Sequence, residues 1–175
     1  PRRPAASVAP RPDPCASRAA SRSSEPRYLT ACGGFLWFAA TDGFTGDELW
    51  VSDGHLGSLD RDLGDAAHAA SFPEVGGAGT RLAADVFAGR EGSAPDHLAC
   101  LQDGTLLFAA TTKHEGRELW RATWKHKNDT STLDVALVKD VRRGSKSSGP
   151  AFVAAFGAKA YFAADDGVVG SELWV

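Results

Sequence analysis

Strand-sized apolar runs recur along the chain and are separated by turn-forming residues. The clearest runs are 35–40, 106–110 and 160–164. Because both alternating faces of these runs are apolar, the pattern predicts strands buried on two sides. Further strands are predicted at each Glu-Leu-Trp and at "VALVKDV", and Asp103-Gly104 predicts a tight turn. Helical periodicity is confined to one or two turns in "GDAAHAASF".

The strand pattern occurs in three copies, which is typical of a repeat protein. The copies are "GGFLWFAATDGFTGDELWV", "DGTLLFAATTKHEGRELWR" and "GAKAYFAADDGVVGSELWV". Each copy places Phe-Ala-Ala ten residues before Glu-Leu-Trp. The motif residues are Glu48, Leu49, Trp50, Glu118, Leu119, Trp120, Glu172, Leu173 and Trp174. Their spacing indicates a unit of roughly 50 residues, and the longer first interval predicts an insertion at about 54–75.

A second block lies between the copies and divides the chain into units. "DVFAGREGSAP" aligns with "DVRRGSKSSGP", and "SRSSEP" resembles the tail of the same block before the first copy. Residues 1–27 are rich in Pro, Arg, Ala and Ser, a composition that predicts disorder. The expected units are 28–94, 95–149 and a truncated third unit, 150–175.

Four short strands in about 50 residues are typical of a propeller blade. We therefore expect an all-β fold, a partial β-propeller-like array of about two and a half four-stranded units, with a β-solenoid as the alternative. The chain starts at Pro1, contains no methionine and ends inside the third copy. We expect it to be a fragment of a parent chain that has further repeats, and the number of blades is left open.

The repeated residues resemble the ELWxxDGT repeat family. The first copy matches the family pattern best, the second departs at Thr112-Lys113 and Thr123-Trp124, and the third keeps Asp166-Gly167. The resemblance covers nearly all of 23–175 and implies a propeller-like protein that is secreted or at the cell surface. Family members generally have no assigned molecular role. The matching residues of the first copy are Asp42, Gly43, Gly46, Glu48, Leu49, Trp50, Asp53 and Gly54.

Charge and hydrophobicity exclude some partners. The net charge is −3, and outside residues 1–27 there are 13 basic and 20 acidic residues, which argues against a nucleic-acid surface. No apolar run is long enough for a membrane span. A protein or glycan ligand is the expected partner.

The repeated glutamate has three interpretations. Asp42, Gly46 and Glu48 superficially resemble a calcium loop. The second copy has Lys113 there, so we predict no cofactor, with calcium in the first or third copy as the less favoured alternative. Repetition also argues against catalysis, which needs one particular site. We expect the glutamates to accept hydrogen bonds from the preceding turn and the tryptophans to pack between units.

Cysteine and histidine give no metal-binding pattern. Cys32 and Cys100 occupy near-equivalent places in neighbouring units. Because equivalent strands of neighbouring blades are usually too far apart for a bridge, two buried thiols are favoured over a disulfide. The pairing of Cys15 is left open. Surface positions in insertions or turns are predicted for His55, His68, His97, His114 and His126.

These observations favour a non-catalytic secreted or cell-surface scaffold for binding or adhesion. The sequon at Asn128 is a candidate glycosylation site and favours an extracellular location. Specificity is expected in the insertions 54–75 and 125–132. One alternative is a propeller enzyme that acts on carbohydrate; the other is a cytoplasmic protein-interaction propeller. The enzyme would use singular acidic residues such as Asp60, Asp62 and Asp65.

Overall fold

The computed structural model describes residues 23–54, 79–127 and 130–175, and this part of the chain is all-β, as predicted. Of the segment 1–27 that was predicted to be disordered, residues 1–22 lie outside the described residues, and Arg27 begins a strand. Residues 55–75 of the first predicted insertion and Asn128 also lie outside them. The described strands form three antiparallel sheets, none of them closed. Sheet 1 contains β1 (Arg27–Cys32), β2 (Phe35–Thr41), β3 (Asp47–Ser52) and β4 (Thr80–Ala84); sheet 2 contains β5 (Asp96–Cys100), β6 (Leu106–Thr112), β7 (Gly116–Lys127) and β8 (Thr130–Lys139); sheet 3 contains β9 (Ala151–Phe156), β10 (Lys159–Asp165) and β11 (Ser171–Trp174).

The sequence repeat is also a repeat of strand register. In each sheet the Phe of Phe-Ala-Ala lies opposite the Trp of Glu-Leu-Trp on the next strand. The second Ala of the triplet lies opposite the Glu. If the pairing register of one strand shifted by one residue, every side chain of that strand would move to the other face of the sheet. The constant ten-residue spacing between Phe-Ala-Ala and Glu-Leu-Trp therefore keeps the same motif positions on the same face in all three sheets.

The hydrophobic core lies between the sheets. Trp37, Leu49 and Val51 of sheet 1 form one cluster with residues of sheet 2, among them Leu106 and Phe108. A second cluster joins sheet 2 to sheet 3 and contains Leu119, Val141, Phe162 and Ala164. Between sheets, the first strands make the most extensive contacts, β1 with β5 and β5 with β9. Sheet 2 is therefore packed on both of its faces, against sheet 1 on one side and sheet 3 on the other.

The structure shows how the second insertion is built and corrects the prediction for one histidine. Most of 125–132 belongs to a long hairpin, in which β7 and β8 stay paired as far as Lys127 and Thr130. His97 lies in β5, so its assignment to a turn or an insertion was wrong. His126 lies in β7, inside the predicted insertion. A polar sequence can form strands there because cross-strand pairing satisfies the backbone and both faces can meet water. No helix in the described part of the chain is long and apolar enough to cross a bilayer.

Candidate functional site

The carboxylate of Glu48 is fully buried and accepts four hydrogen bonds. The donors are the backbone N–H groups of Val86 (3.0 Å) and Phe87 (3.2 Å) and both the backbone N–H (2.8 Å) and the hydroxyl (2.6 Å) of Ser93. All of them lie in residues 85–95, which lead from β4 to β5 and are called here the first connector. Glu48 therefore attaches sheet 1 to the segment that begins the next sheet.

Glu118 repeats this arrangement with the second connector, residues 140–150. It accepts backbone N–H groups from Val141 (3.2 Å), Arg142 (3.4 Å) and Ser148 (2.9 Å), and the Ser148 hydroxyl at 2.6 Å. The prediction that the glutamates accept backbone N–H groups was right for Glu48 and Glu118, but their placement on the preceding turn was wrong. The donors follow later in the chain, because each connector folds back over the strand that carries the glutamate.

The turn before Glu-Leu-Trp has its own acceptor. Asp42 Oδ1 accepts the backbone N–H groups of Phe44 (2.7 Å) and Thr45 (2.8 Å), and these bonds hold the pKa of Asp42 below its ordinary value. Asp166 caps the turn of the third copy in the same way, with the same direction of pKa shift. In the second copy the hydroxyl of Thr112 accepts the backbone N–H of Glu115 at 3.1 Å. The change from Asp to Thr therefore preserves the capping of the turn.

The electrostatics of Glu48 reflect its burial. Desolvation raises the pKa of Glu48, and the hydrogen bonds from Ser93, Val86 and Phe87 oppose that rise. Asp42 and Glu48 thus serve different backbone segments, the turn and the connector respectively. Among the described residues there is no group of three or more His, Cys, Asp or Glu side chains that could hold a metal ion.

Leucine and tryptophan of the motif pack against neighbouring sheets. Leu49 and Leu119 are fully buried, whereas Leu173 is 76% exposed. Trp120 packs against the cluster between sheets 1 and 2, and Trp174 against the cluster between sheets 2 and 3. The packing of these two tryptophans agrees with the role predicted from the sequence. The indole N–H groups of the first and third copies also donate to backbone carbonyls, Trp50 to Ala40 and Trp174 to Ala164, each at 3.0 Å.

Glycine precedes the motif because the connector passes very close to the backbone there. A Cβ on Gly46 would lie 2.6 Å from the backbone nitrogen of Gly92 in the first connector. A Cβ on Gly116 would lie 2.7 Å from the backbone of Lys146 in the second. Both glycines also have positive φ angles, which other residues rarely adopt. The turn, the glutamate and the connector therefore form one structural unit.

Cys32 and Cys100 form a disulfide, with Cα atoms 5.3 Å apart, so the prediction of two buried thiols was wrong. Cys32 ends β1 and Cys100 ends β5, and these first strands lie close together. The argument from strand separation failed because both residues lie at the ends of first strands that contact each other. The bridge indicates an oxidising environment.

A shallow groove of about 470 Å³ lies beside this disulfide. Its lining is mainly small and apolar, and it includes the turn residues Gly33 and Gly34, the ring of Phe35, and Asp53. Gly54, at the edge of the first insertion, also lines it. The sequence analysis missed this groove because it forms only when turns from separate hairpins meet at one end of the sheets.

Comparison with known proteins gives no further assignment, since no protein-family model, curated protein or solved structure matches the chain.

Proposed function

We propose that the chain is a non-catalytic, propeller-like β-repeat scaffold that binds a protein or glycan ligand outside the cell. The observation that carries this proposal is that the repeated glutamates Glu48 and Glu118 hold the connectors by hydrogen bonds. Glu48 and Glu118 are buried, and each accepts four hydrogen bonds from its connector. Acceptors occupied in this way stabilise the array, and neither of these two carboxylates is free for proton transfer.

The stacking of the sheets supports the propeller-like part of the proposal. Each four-stranded sheet is a simple meander, and contacts between sheets concentrate on the first strands, as expected where blades converge on an axis. The resemblance to ELWxxDGT repeats points the same way. The disulfide supports a secreted or cell-surface location over the cytoplasm.

The β7–β8 hairpin is the described part of the proposed binding surface. On β7 the Trp124 ring lies 5.3 Å from that of Phe35, and the Arg81 guanidinium lies 5.4 Å above the Trp124 ring. These contacts anchor the hairpin to sheet 1, beside the groove. An anchored hairpin next to a groove suits recognition, because less conformational entropy is lost on binding when the binding segment is held in place.

The proposal is tested by measuring binding of the whole chain to immobilised neutral, sulfated and sialylated glycans and to purified extracellular matrix proteins. In one variant Asn-Gly replaces residues 125–132, which joins Trp124 to Leu133 by a two-residue turn. We expect the variant to fold and to lose ligand binding. Lys113→Ala, at the opposite end of sheet 2, is the matched control and should bind normally.

Two results would contradict the proposal. Cleavage of a glycan that is abolished by Asn at Asp60, Asp62 or Asp65 would favour the enzyme. Free thiols at Cys32 and Cys100 in protein from its natural source would favour the intracellular interaction protein.

A further inference from the structure

The second unit differs from the first in charge at one place, where the turn between β6 and β7 meets the second connector. In the first unit, residues 42–46 and the first connector carry one basic and three acidic side chains: Arg90, Asp42, Asp85 and Glu91. In the second unit, residues 112–116 and the second connector carry four basic and two acidic side chains: Lys113, Arg142, Arg143, Lys146, Glu115 and Asp140. The balance of charge at this place is therefore reversed between the two units.

The two segments that carry the change lie far apart in the sequence, and the fold brings them together. A Cβ on Gly116 would lie 2.7 Å from the backbone of Lys146. The backbone N–H of Arg117 donates to the hydroxyl of Ser147 at 2.9 Å. The second connector is still held by the same kind of hydrogen bonds to Glu118 as the first is to its own glutamate. The charge has changed while the scaffold has not, so the structural repeat does not explain the change.

Three of these basic side chains are free to meet a partner. Lys113, Arg143 and Lys146 are exposed, and none of them forms an ion pair with another described residue. The fourth, Arg142, pairs with Asp165 at 3.4 Å. Sheet 2 has a neighbouring sheet on each face, so these three side chains stay exposed with both neighbours present. We call Lys113, Arg143 and Lys146 the basic cluster.

Exposed apolar side chains lie at the tips of the turns on either side of the basic cluster. Phe44, between β2 and β3, is 73% exposed, and Val168, between β10 and β11, is 85% exposed. The third turn is next to the second connector, because a Cβ on Gly167 would lie 2.8 Å from the Arg142 Nε. The first connector passes over Gly46 and still leaves Phe44 exposed, so this tip is not a surface that a connector covers.

We propose that this end of the stack binds the surface of an anionic lipid bilayer. The basic cluster would contact the anionic headgroups, and Phe44 and Val168 would enter the boundary between headgroups and acyl chains. Basic side chains are attracted to anionic bilayers, and apolar side chains that enter this boundary hold a protein at the surface without crossing it.

A bilayer is the favoured partner because the apolar side chains project singly from separate turns. A protein interface has a contiguous, closely packed core, and a soluble anion would make no use of Phe44. The flanking Asp42 and Asp166 are turned to their own turns, where each accepts two backbone N–H groups. The surface lies at the opposite end of the sheets from the β7–β8 hairpin, so this inference does not depend on the proposed ligand-binding function.

The test is co-sedimentation of the whole chain with vesicles of phosphatidylcholine, with and without phosphatidylglycerol. Binding should require phosphatidylglycerol and should weaken as added salt screens the charges. Lys146→Glu introduces the residue that the first connector has at this position, Glu91, and should lower the partition constant by more than about fivefold. Lys159→Glu makes the same change of charge at an exposed position at the opposite end of sheet 3, and this matched control should bind normally.

Phe44→Ser distinguishes a bilayer from a soluble anion. Loss of the ring should weaken vesicle binding by about tenfold, and inorganic phosphate at equal ionic strength should not displace the chain. Vesicle binding that is lost in Lys146→Glu but is unchanged in Phe44→Ser would indicate a soluble phosphate-bearing ligand and would overturn the proposal.

The arginine-rich start of the chain is a second possible source of vesicle binding, since residues 1–27 contain six arginines. Binding that is unchanged in both Lys146→Glu and Phe44→Ser would belong to that segment and would contradict the proposal, as would a wild-type chain that does not bind. Both substitutions are at exposed positions, and unchanged circular dichroism would show that the variants are folded.

Discussion

Glu118 links parts of the chain that are 23 to 30 residues apart in sequence. Its carboxylate collects four donors at one point, which converts a loop between two sheets into a fixed connector. Carboxylates suit this role because each oxygen has two lone pairs and hydrogen bonds to a charged acceptor are strong.

Replacing Glu118 with Gln puts an amide N–H₂ group among the donors, so at least one of them loses its acceptor. We expect the free energy of unfolding to fall by about 2–4 kcal/mol, measured by guanidinium denaturation. Glu172→Gln changes the same motif at an exposed position and should lower the free energy of unfolding by less than about 0.5 kcal/mol. Equal losses for the two variants would contradict the connector role.

The turn-capping aspartates predict an acid-dependent loss of stability. The pKa of Asp42 is lowered from its ordinary 3.8 by hydrogen bonds from Thr45 and Phe44. A lowered folded-state pKa means that the stabilising contribution is present above the unfolded-state pKa and is lost as pH falls through the folded-state pKa. Carboxyl ¹³C NMR should show Asp42 titrating below 3.8, and titration at or above that value would show that the turn is not capped in solution.

At the residue scale, the sequence indicated that the repeated glutamates accept hydrogen bonds, but it did not indicate which residues donate them. The expectation that Glu48 accepts backbone N–H groups agrees with the structure. The identity of its donors could not be read from the sequence, because Val86 and Ser93 come close to it only after the connector folds back. The capping by Thr112 was also missed, since the sequence comparison treated this residue only as a departure from the pattern.

The elements are held by close backbone contacts as well as by hydrogen bonds. Gly46 and Gly116 allow a connector to pass against the turn, and Gly170 precedes the same motif without such a contact. Sequence alone would give the three glycines one explanation, a positive φ. The structure gives the first two a second reason, the lack of space for a Cβ.

This difference predicts unequal effects of alanine. Gly116→Ala should lower the free energy of unfolding by several kcal/mol. A positive φ costs a non-glycine residue about 1–2 kcal/mol, and the new Cβ would in addition overlap the backbone of Lys146. A Cβ on Gly170 has open space around it. Gly170→Ala should therefore lower the free energy of unfolding only by the cost of the positive φ, about 1–2 kcal/mol. Thermal unfolding of the two variants provides the measurement, and similar melting temperatures would show that the connector can move away.

Strand positions were largely predictable from the apolar runs, and the long hairpin was not. The stretch "KHKNDTST" has the composition of a loop, yet most of it pairs in register as part of β7 and β8. Local propensity is overridden here by pairing with a partner strand, a tertiary effect on which β-structure depends strongly.

On the scale of the whole molecule, the sheets depend on one another because no sheet covers its own faces. Stability in such arrays is carried by the interfaces between neighbours as much as by each unit. The interface between sheets 1 and 2 has a covalent bond in addition to its hydrophobic cluster, and the interface between sheets 2 and 3 has the cluster of Leu119 and Phe162.

Reduction of the disulfide should destabilise the pair formed by sheets 1 and 2. A bridge with a sequence separation of 68 restricts the unfolded chain strongly, and its loss should cost roughly 2–4 kcal/mol. Denaturation with and without a reducing agent measures this difference. The double variant Cys32→Ser and Cys100→Ser is the control, and its free energy of unfolding should not change with the reducing agent. An oxidised wild-type protein that is no more stable than this variant would contradict the expectation.

The same bridge also determines how the molecule yields when its two termini are pulled apart. The 68-residue separation between the bridged cysteines cannot be extended while the bond is intact, which shortens the fully stretched chain by roughly 230 Å at about 3.4 Å per residue. In single-molecule pulling experiments, the extra extension of the chain between the two cysteines would be observed only after the disulfide is reduced. Under tension, the residues between Cys32 and Cys100, which include β2 to β4, would thus stay in a closed covalent loop while sheet 3 unfolds.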